Sequence, residues 1–136
     1  MTASFRYRVY WEDTDAGGVV YHARYLQFLE RARSDWLRDL GISQTALRQQ
    51  QGRVFAVTRM TLDFRKPARL EDELDVSVHV QALGRARIDF DQQIRCGSRL
   101  LLEASVRAAC LDAGRFSPAR VPVALLDTLR DAVDNQ

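Results

Sequence analysis

The chain has 136 residues, 46% of them apolar and 28% charged, with a formal net charge of +2. That size and composition fit one folded domain spanning 1–136 and exclude a disordered chain. The 20 basic residues are interspersed with 18 acids and form no dense basic run, so nucleic acid is not an expected partner.

No stretch approaches the roughly 18 apolar residues that a membrane span requires, and the opening MTASFRYRVYWED has no apolar leader core. A cytoplasmic protein without a transmembrane segment is therefore expected. The first element is a strand, since Phe5, Tyr7, Val9 and Trp11 alternate with Arg6, Arg8, Tyr10 and Glu12. Next comes EDTDAGGVVYH, residues 12–22, read as a loop. It packs three carboxylates, two adjacent glycines and one of the chain's two histidines into a short span. From about Ala23 the period changes. Leu26, Leu29, Arg33/Trp36, Leu37 and Leu40 predict a helix of about 18 residues, roughly 27 Å long, with an Arg31–Asp35 pair on its polar side and Gly41 at its end.

Alternation then returns in four runs: Ala56 to Phe64, Leu74 to Ala82, Ala86 to Cys96 and Leu100 to Cys110. Gly97-Ser98 between the last two predicts a II′ hairpin with Cys96 opposite Arg99. Cys110 then lies roughly 36 Å from Cys96 along the strand, beyond disulfide reach, so two buried, reduced thiols are expected. Pro122 opens a terminal helix carrying Leu125, Leu126, Leu129 and Val133. The order is β-α-β-β-β-β-α, an α+β class with one long helix against a five-stranded antiparallel sheet. One long helix leaves a face or an edge of such a sheet for a second subunit to bury.

The loop has the ingredients of a site. It runs into a helix N-terminus, where free N–H groups and the dipole favour developing negative charge. Gly17 and Gly18 permit close backbone approach, and Asp15 is seven residues before His22. A carboxylate facing a polarised carbonyl is an acyl-transfer arrangement. The plainer readings are an Asx-turn at Asp15, solvated charges at Glu12 and Asp13, and a His22 that merely begins the helix. His79 reads as a surface or interface residue. No G-x-S-x-G occurs, no Cys/His spacing fits a metal, and no cofactor is expected.

The run VYWEDTDAGGVVYHARYLQFLERARSDWL closely resembles the opening signature of hotdog-fold acyl-CoA thioesterases of the 4-hydroxybenzoyl-CoA thioesterase superfamily. Within it, EDTDAGGVVYHARYLQFLERAR is similar to the YbgC-type group, associated with the Tol-Pal cell-envelope system. The resemblance continues more loosely to about Pro122. It implies a hotdog fold, a homodimer or homotetramer, and an acyl-CoA substrate. It further implies that Asp15 is the catalytic carboxylate, as nucleophile or general base. The His22 backbone N–H then polarises the thioester carbonyl, while Gly18 and Tyr21 shape the substrate site. Among the surface arginines, Arg85 and Arg87 are candidates for the CoA phosphates, with Arg65, Lys66 and Arg69 behind them. Phe28, Trp36, Phe55 and Phe64 are candidates for setting acyl-pocket depth. Two alternatives stay open: a hotdog enoyl-thioester hydratase, and a non-catalytic acyl carrier protein-binding or scaffold module of phospholipid synthesis.

Overall fold

Alternation and helical period decide most of what the computed structural model contains; it describes residues 2–136. Strand β1 spans Ala3–Arg8, helix α1 Arg24–Asp39, helix α2 Gln44–Gln51 and strand β2 Arg53–Phe64. They are followed by β3 at Glu73–Leu83, β4 at Arg87–Cys96, β5 at Arg99–Asp112 and helix α3 at Val123–Asp134. The strands form one antiparallel sheet in the order β1-β3-β4-β5-β2. This is the expected α+β arrangement, with α1 lying against the concave apolar face.

Helix α1 buries Tyr25, Phe28, Leu29, Ala32, Arg33, Trp36 and Leu37, a stripe at the spacings of three and four that one helix face requires. Leu26, expected on that stripe, is exposed instead. The expected Arg31–Asp35 pair does not form. Asp35 accepts the Tyr7 hydroxyl, tying β1 to α1, and the Arg31 guanidinium stacks over the Phe28 ring at 5.9 Å. Gly41 takes φ +82° just past the helix end, the left-handed conformation that glycine adopts without strain.

Helix α2 is absent from the sequence-derived order. Its signals are its ends: Ser43 Oγ accepts the Ala46 N–H at 3.1 Å, and Gly52 closes it at φ +64°. Between them QTALRQQQ buries only Leu47, so no apolar stripe announces the helix. The first strand is shorter than expected. It stops at Arg8, and Trp11, assigned to its apolar face, sits in a 3-10 turn and is 81% exposed.

Two bulges reset side-chain parity. In β2, Val57 pairs with Ala108 and Arg59 with Arg107, leaving Thr58 extra. Phe55 and Val57 therefore share the inner face with Met60, Leu62 and Phe64, whereas strict alternation had grouped Ala56 and Thr58 with them. In β3 the extra residue is Gln81, and Leu83 rather than Ala82 faces Ile88. Gln136 bridges that irregularity: its side chain accepts the Val80 N–H at 3.0 Å and donates to the Val80 carbonyl at 2.6 Å. The β4–β5 hairpin places Cys96 opposite Arg99, with Gly97 at φ +59°, as expected. Cys110 is buried and Cys96 half-buried, both as free thiols.

The outer face of the sheet is polar and carries ion pairs such as Arg6–Asp75 at 3.0 Å and Arg107–Asp89 at 2.8 Å. Strand β2 ends the sheet and has no partner on its outer edge among the described residues. Two inner-face side chains of that strand, Val57 and Phe64, remain 47% and 53% exposed. An unpaired edge flanked by apolar side chains is a surface shaped for another chain.

Candidate active site

Beyond β1 the chain locks onto the connection before β3. The Val9 N–H donates to the Asp72 carbonyl at 2.9 Å, and the Glu71 N–H to the Val9 carbonyl at 3.0 Å. Asp13 is buried and structural: its Oδ2 accepts the Tyr10 N–H at 2.9 Å, and its Oδ1 is 3.7 Å from Arg24 Nε. Arg24 in turn donates to the Glu12 carbonyl from Nε and Nη2. The first turn of α1 is thereby fastened to the loop.

The loop is a small hairpin. Thr14 bridges Val20, the Tyr21 N–H donates to the Asp13 carbonyl at 2.9 Å, and the Asp15 N–H to the Val19 carbonyl at 3.0 Å. A turn closes it through Gly18 N–H to the Asp15 carbonyl at 3.0 Å, followed by Gly18 itself at φ +78°. That is a three-residue loop with a left-handed last position, where glycine is the favoured residue. Asp15 stands at the tip, exposed. The Asx-turn reading is realised there, with Oδ1 accepting the Gly17 N–H at 2.8 Å. The bond also orients the carboxylate and leaves Oδ2 without a partner among the described residues. A methyl group at position 17 would come within 3.1 Å of Oδ1, so glycine there keeps the carboxylate free to sit where it does.

His22 and Ala23 turn into α1. Their N–H groups have no acceptor among the described residues, whereas the Arg24 N–H is held by the Tyr21 carbonyl at 2.8 Å. Two free donors at a helix start form an oxyanion-binding geometry. The His22 ring packs on Tyr21 with centroids 4.5 Å apart, both side chains exposed. No hydrogen bond joins Asp15 to His22, the pairing that the hydratase reading would use.

Residues to which the motif assigned no supporting role hold this hairpin. Val20 donates to the Ala68 carbonyl at 2.9 Å, the Ala68 N–H donates to the Tyr25 hydroxyl at 3.0 Å, and Val19 bridges Arg69. Tyr25 is buried, which raises its phenol pKa, and packs edge-on to Phe64 at 5.6 Å. Its spacing of three and four from Phe28 and Leu29 was a legible core signal; its hydrogen bond was not.

Arg85 and Arg87 sit at the β3–β4 turn, at the end of the sheet opposite the hairpin; β4's ten residues alone span about 30 Å. Arg87 Nε is 3.5 Å from Asp89, and Arg85 is exposed. Arg65, Lys66 and Arg69 lie at the hairpin's own end, Arg65 paired with Glu103 at 2.9 Å. Phe28 and Trp36 are core residues. Among the described residues no group of three metal-ligating side chains occurs, and no helix is long and apolar enough to cross a membrane.

One long helix on a five-stranded antiparallel sheet, with an acidic hairpin feeding the helix N-terminus, defines a hotdog-fold protein. Residues 9–129 match the family described as the thioesterase-like superfamily. The chain is 44% identical over 119 residues to the acyl-CoA thioesterase YbgC of Haemophilus influenzae, covering 88% of each chain. It is 41% identical over 128 residues to the acyl-CoA thioester hydrolase YbgC of Escherichia coli, covering 92% of this chain and 95% of that one. A crystal structure of a probable thioesterase from Bartonella henselae superposes with a TM-score of 0.84 at 38% identity, covering 90% of this chain and all of the other. The chain belongs to the thioesterase-like superfamily, among its YbgC-type hotdog proteins.

Proposed function

We propose that the protein hydrolyses an acyl-CoA thioester to the free acid and CoA. One observation carries the reading: a carboxylate fixed at a hairpin tip, with one oxygen free, precedes a helix start with two unpaired N–H groups. The thioester carbonyl points at the His22 N–H. Asp15 Oδ2 attacks the carbonyl carbon, the C–S bond breaks, CoA leaves as thiolate, and water cleaves the mixed anhydride to regenerate Asp15. Alternatively Asp15 takes a proton from water as the water attacks. In both routes the oxyanion is held by backbone donors, a contribution of about 3–4 kcal/mol. Tyr21 and His22 flank the reacting group, and Gly18 lets the hairpin approach it.

The active form is a dimer in this reading. Pairing of β2 with its copy about a two-fold axis satisfies the bare edge and covers Val57 and Phe64. Because that pairing is antiparallel, it carries Arg85 and Arg87 of the second copy toward the first copy's hairpin, where they meet the CoA phosphates. The relatives named for acyl-CoA hydrolysis support CoA as the donor over acyl carrier protein, and the cytoplasm is where such a donor is met.

Thiol release from short, long and aromatic acyl-CoAs, by wild type and Asp15→Asn side by side, tests the reading. At least one substrate should turn over and lose about a hundredfold or more in the variant. Equal turnover by both proteins, or none by either, refutes it.

A further inference from the structure

Arg33 is a cation that α1 turns toward the sheet, 7% exposed. A buried guanidinium without a carboxylate beside it is expensive, because its charge has lost water and gained no counter-charge. Arg33 has no ion-pair partner among the described residues. Its hydrogen bond there runs from Nη1 to Gln92 Oε1 at 2.9 Å. Gln92 spends its own Nε2 on the carbonyls of Leu29 and Ser77, each at 3.2 Å. Nε and Nη2 of Arg33 have no acceptor, yet among the described residues no sealed side-chain nitrogen lacks one. These two donors therefore open onto free volume. Arg33 lines a cavity of about 100 Å³ walled by Phe55, Val57 and Phe90, with Ser34 and the exposed Glu30 at its polar side.

We propose that this cavity receives the far end of the acyl chain and that this end is a carboxylate, so that the substrates are CoA monothioesters of short dicarboxylic acids. The inference rests on the acyl-CoA hydrolase reading above and narrows its substrate class. The Nε–Nη2 edge of arginine is a planar two-donor fork that matches the two oxygens of a carboxylate. The walls suit the intervening methylenes. About 10–15 Å³ of such free volume holds one water, so about 100 Å³ has room for a carboxylate and the carbons that lead to it. Its position beside β2 is where the proposed second copy brings its hairpin, so one copy binds the acyl end while the other supplies Asp15. Glu30 attracts Arg33 from the exposed polar side of the cavity without forming an ion pair with it, and solvent screens that attraction. Burial lowers the Arg33 pKa from its usual value, with the Glu30 carboxylate opposing the shift, which marks the cation as short of solvent.

The test compares glutaryl-CoA with valeryl-CoA, which differ in the terminal carboxylate, on wild type, Arg33→Met and Arg33→Lys. Wild type should favour glutaryl-CoA in kcat/KM by about tenfold or more. Arg33→Met should erase that ratio, with kcat/KM for glutaryl-CoA falling to or below that for valeryl-CoA, and Arg33→Lys should keep part of the preference. Equal kcat/KM for both substrates in wild type, or an unchanged ratio in Arg33→Met, overturns the inference while valeryl-CoA hydrolysis leaves the hydrolase reading standing. No turnover of either substrate overturns the inference, and the wider acyl-CoA panel then decides the hydrolase reading. If Arg33→Met fails to fold by circular dichroism, inhibition of wild-type valeryl-CoA hydrolysis decides: glutarate acting at lower concentration than valerate supports the inference, and equal inhibition overturns it.

Discussion

Tyr25→Phe removes one oxygen from the support of the hairpin and leaves the ring in place. The Ala68 N–H then loses its acceptor in a buried setting, since Ala68 is fully buried and Tyr25 nearly so. An orphaned buried donor costs about 1–3 kcal/mol. Unfolding entropy near 60 °C is about 2.1 cal/mol/K per residue, or about 0.29 kcal/mol/K for this chain. The melting temperature should therefore fall by about 3–10 °C. Phe64 keeps its edge contact with the ring, so the loss reports the hydroxyl alone. Because the Ala68 carbonyl also anchors Val20, the hairpin that presents Asp15 should loosen, and kcat on the best acyl-CoA should fall with it. Differential scanning calorimetry and thiol-release kinetics on the same preparation check both. A melting shift under about 1 °C with kcat unchanged would refute the claim that this hydroxyl supports the site.

Other perturbations separate the remaining contributions. Gly18→Ala adds a methyl with nothing within 4 Å, so its cost is backbone strain at φ +78° alone, about 1–2 kcal/mol, read as a lower denaturation midpoint in urea. Asp89 is held below its usual 3.8 by its hydrogen bond to Arg107, so its contribution to stability is full above that value and lost as pH falls through the lower folded one. Asp89→Asn should thus flatten the acid side of the stability–pH curve below about pH 4 and leave pH 7–8 slopes unchanged, as followed by thermal melts. Val57→Lys places a charge beside the bare β2 edge and should convert a dimer to monomer in light scattering after size exclusion; a wild type already monomeric would remove that part of the proposal.

The sequence carried the fold wherever a single period held. The α1 stripe, the β4–β5 hairpin at Gly97 and the strand count follow from spacing and one turn glycine. It failed where one residue breaks the period. A bulge at Thr58 is invisible in composition, yet it moves Phe55 and Val57 to the inner face, where they wall the cavity. Helix α2 escaped because its single buried leucine makes no stripe, although Ser43 and Gly52 mark its ends. At the site, the motif named Asp15, His22, Gly18 and Tyr21, and all four lie on the hairpin or at the start of α1. Missing were partners that are distant in sequence, Tyr25 with Ala68 and Arg33 with Gln92, because such bonds depend on register and not on local pattern.

The hairpin's three carboxylates show how neighbouring acids come to differ. Glu12 keeps its side chain in solvent and lends the structure its backbone carbonyl, which Arg24 grips. Asp13 is turned inward, and the Tyr10 N–H and the nearby Arg24 guanidinium compensate its burial. Asp15 alone combines exposure, a local bond that fixes its orientation, and an oxygen with nothing to do. A carboxylate buried like Asp13 could not reach a substrate, and one held by no bond, like the exposed Glu12 side chain, would have to lose its rotamer freedom before reacting. The two glycines decide which acid occupies the third state, since Gly17 leaves room for the Asp15 carboxylate and Gly18 closes the hairpin beneath it. In the proposed reaction, turnover therefore depends on the turn as much as on the acid. Crowding Oδ1 with Gly17→Ala should lower kcat while costing little stability, a split that a purely structural turn would not produce.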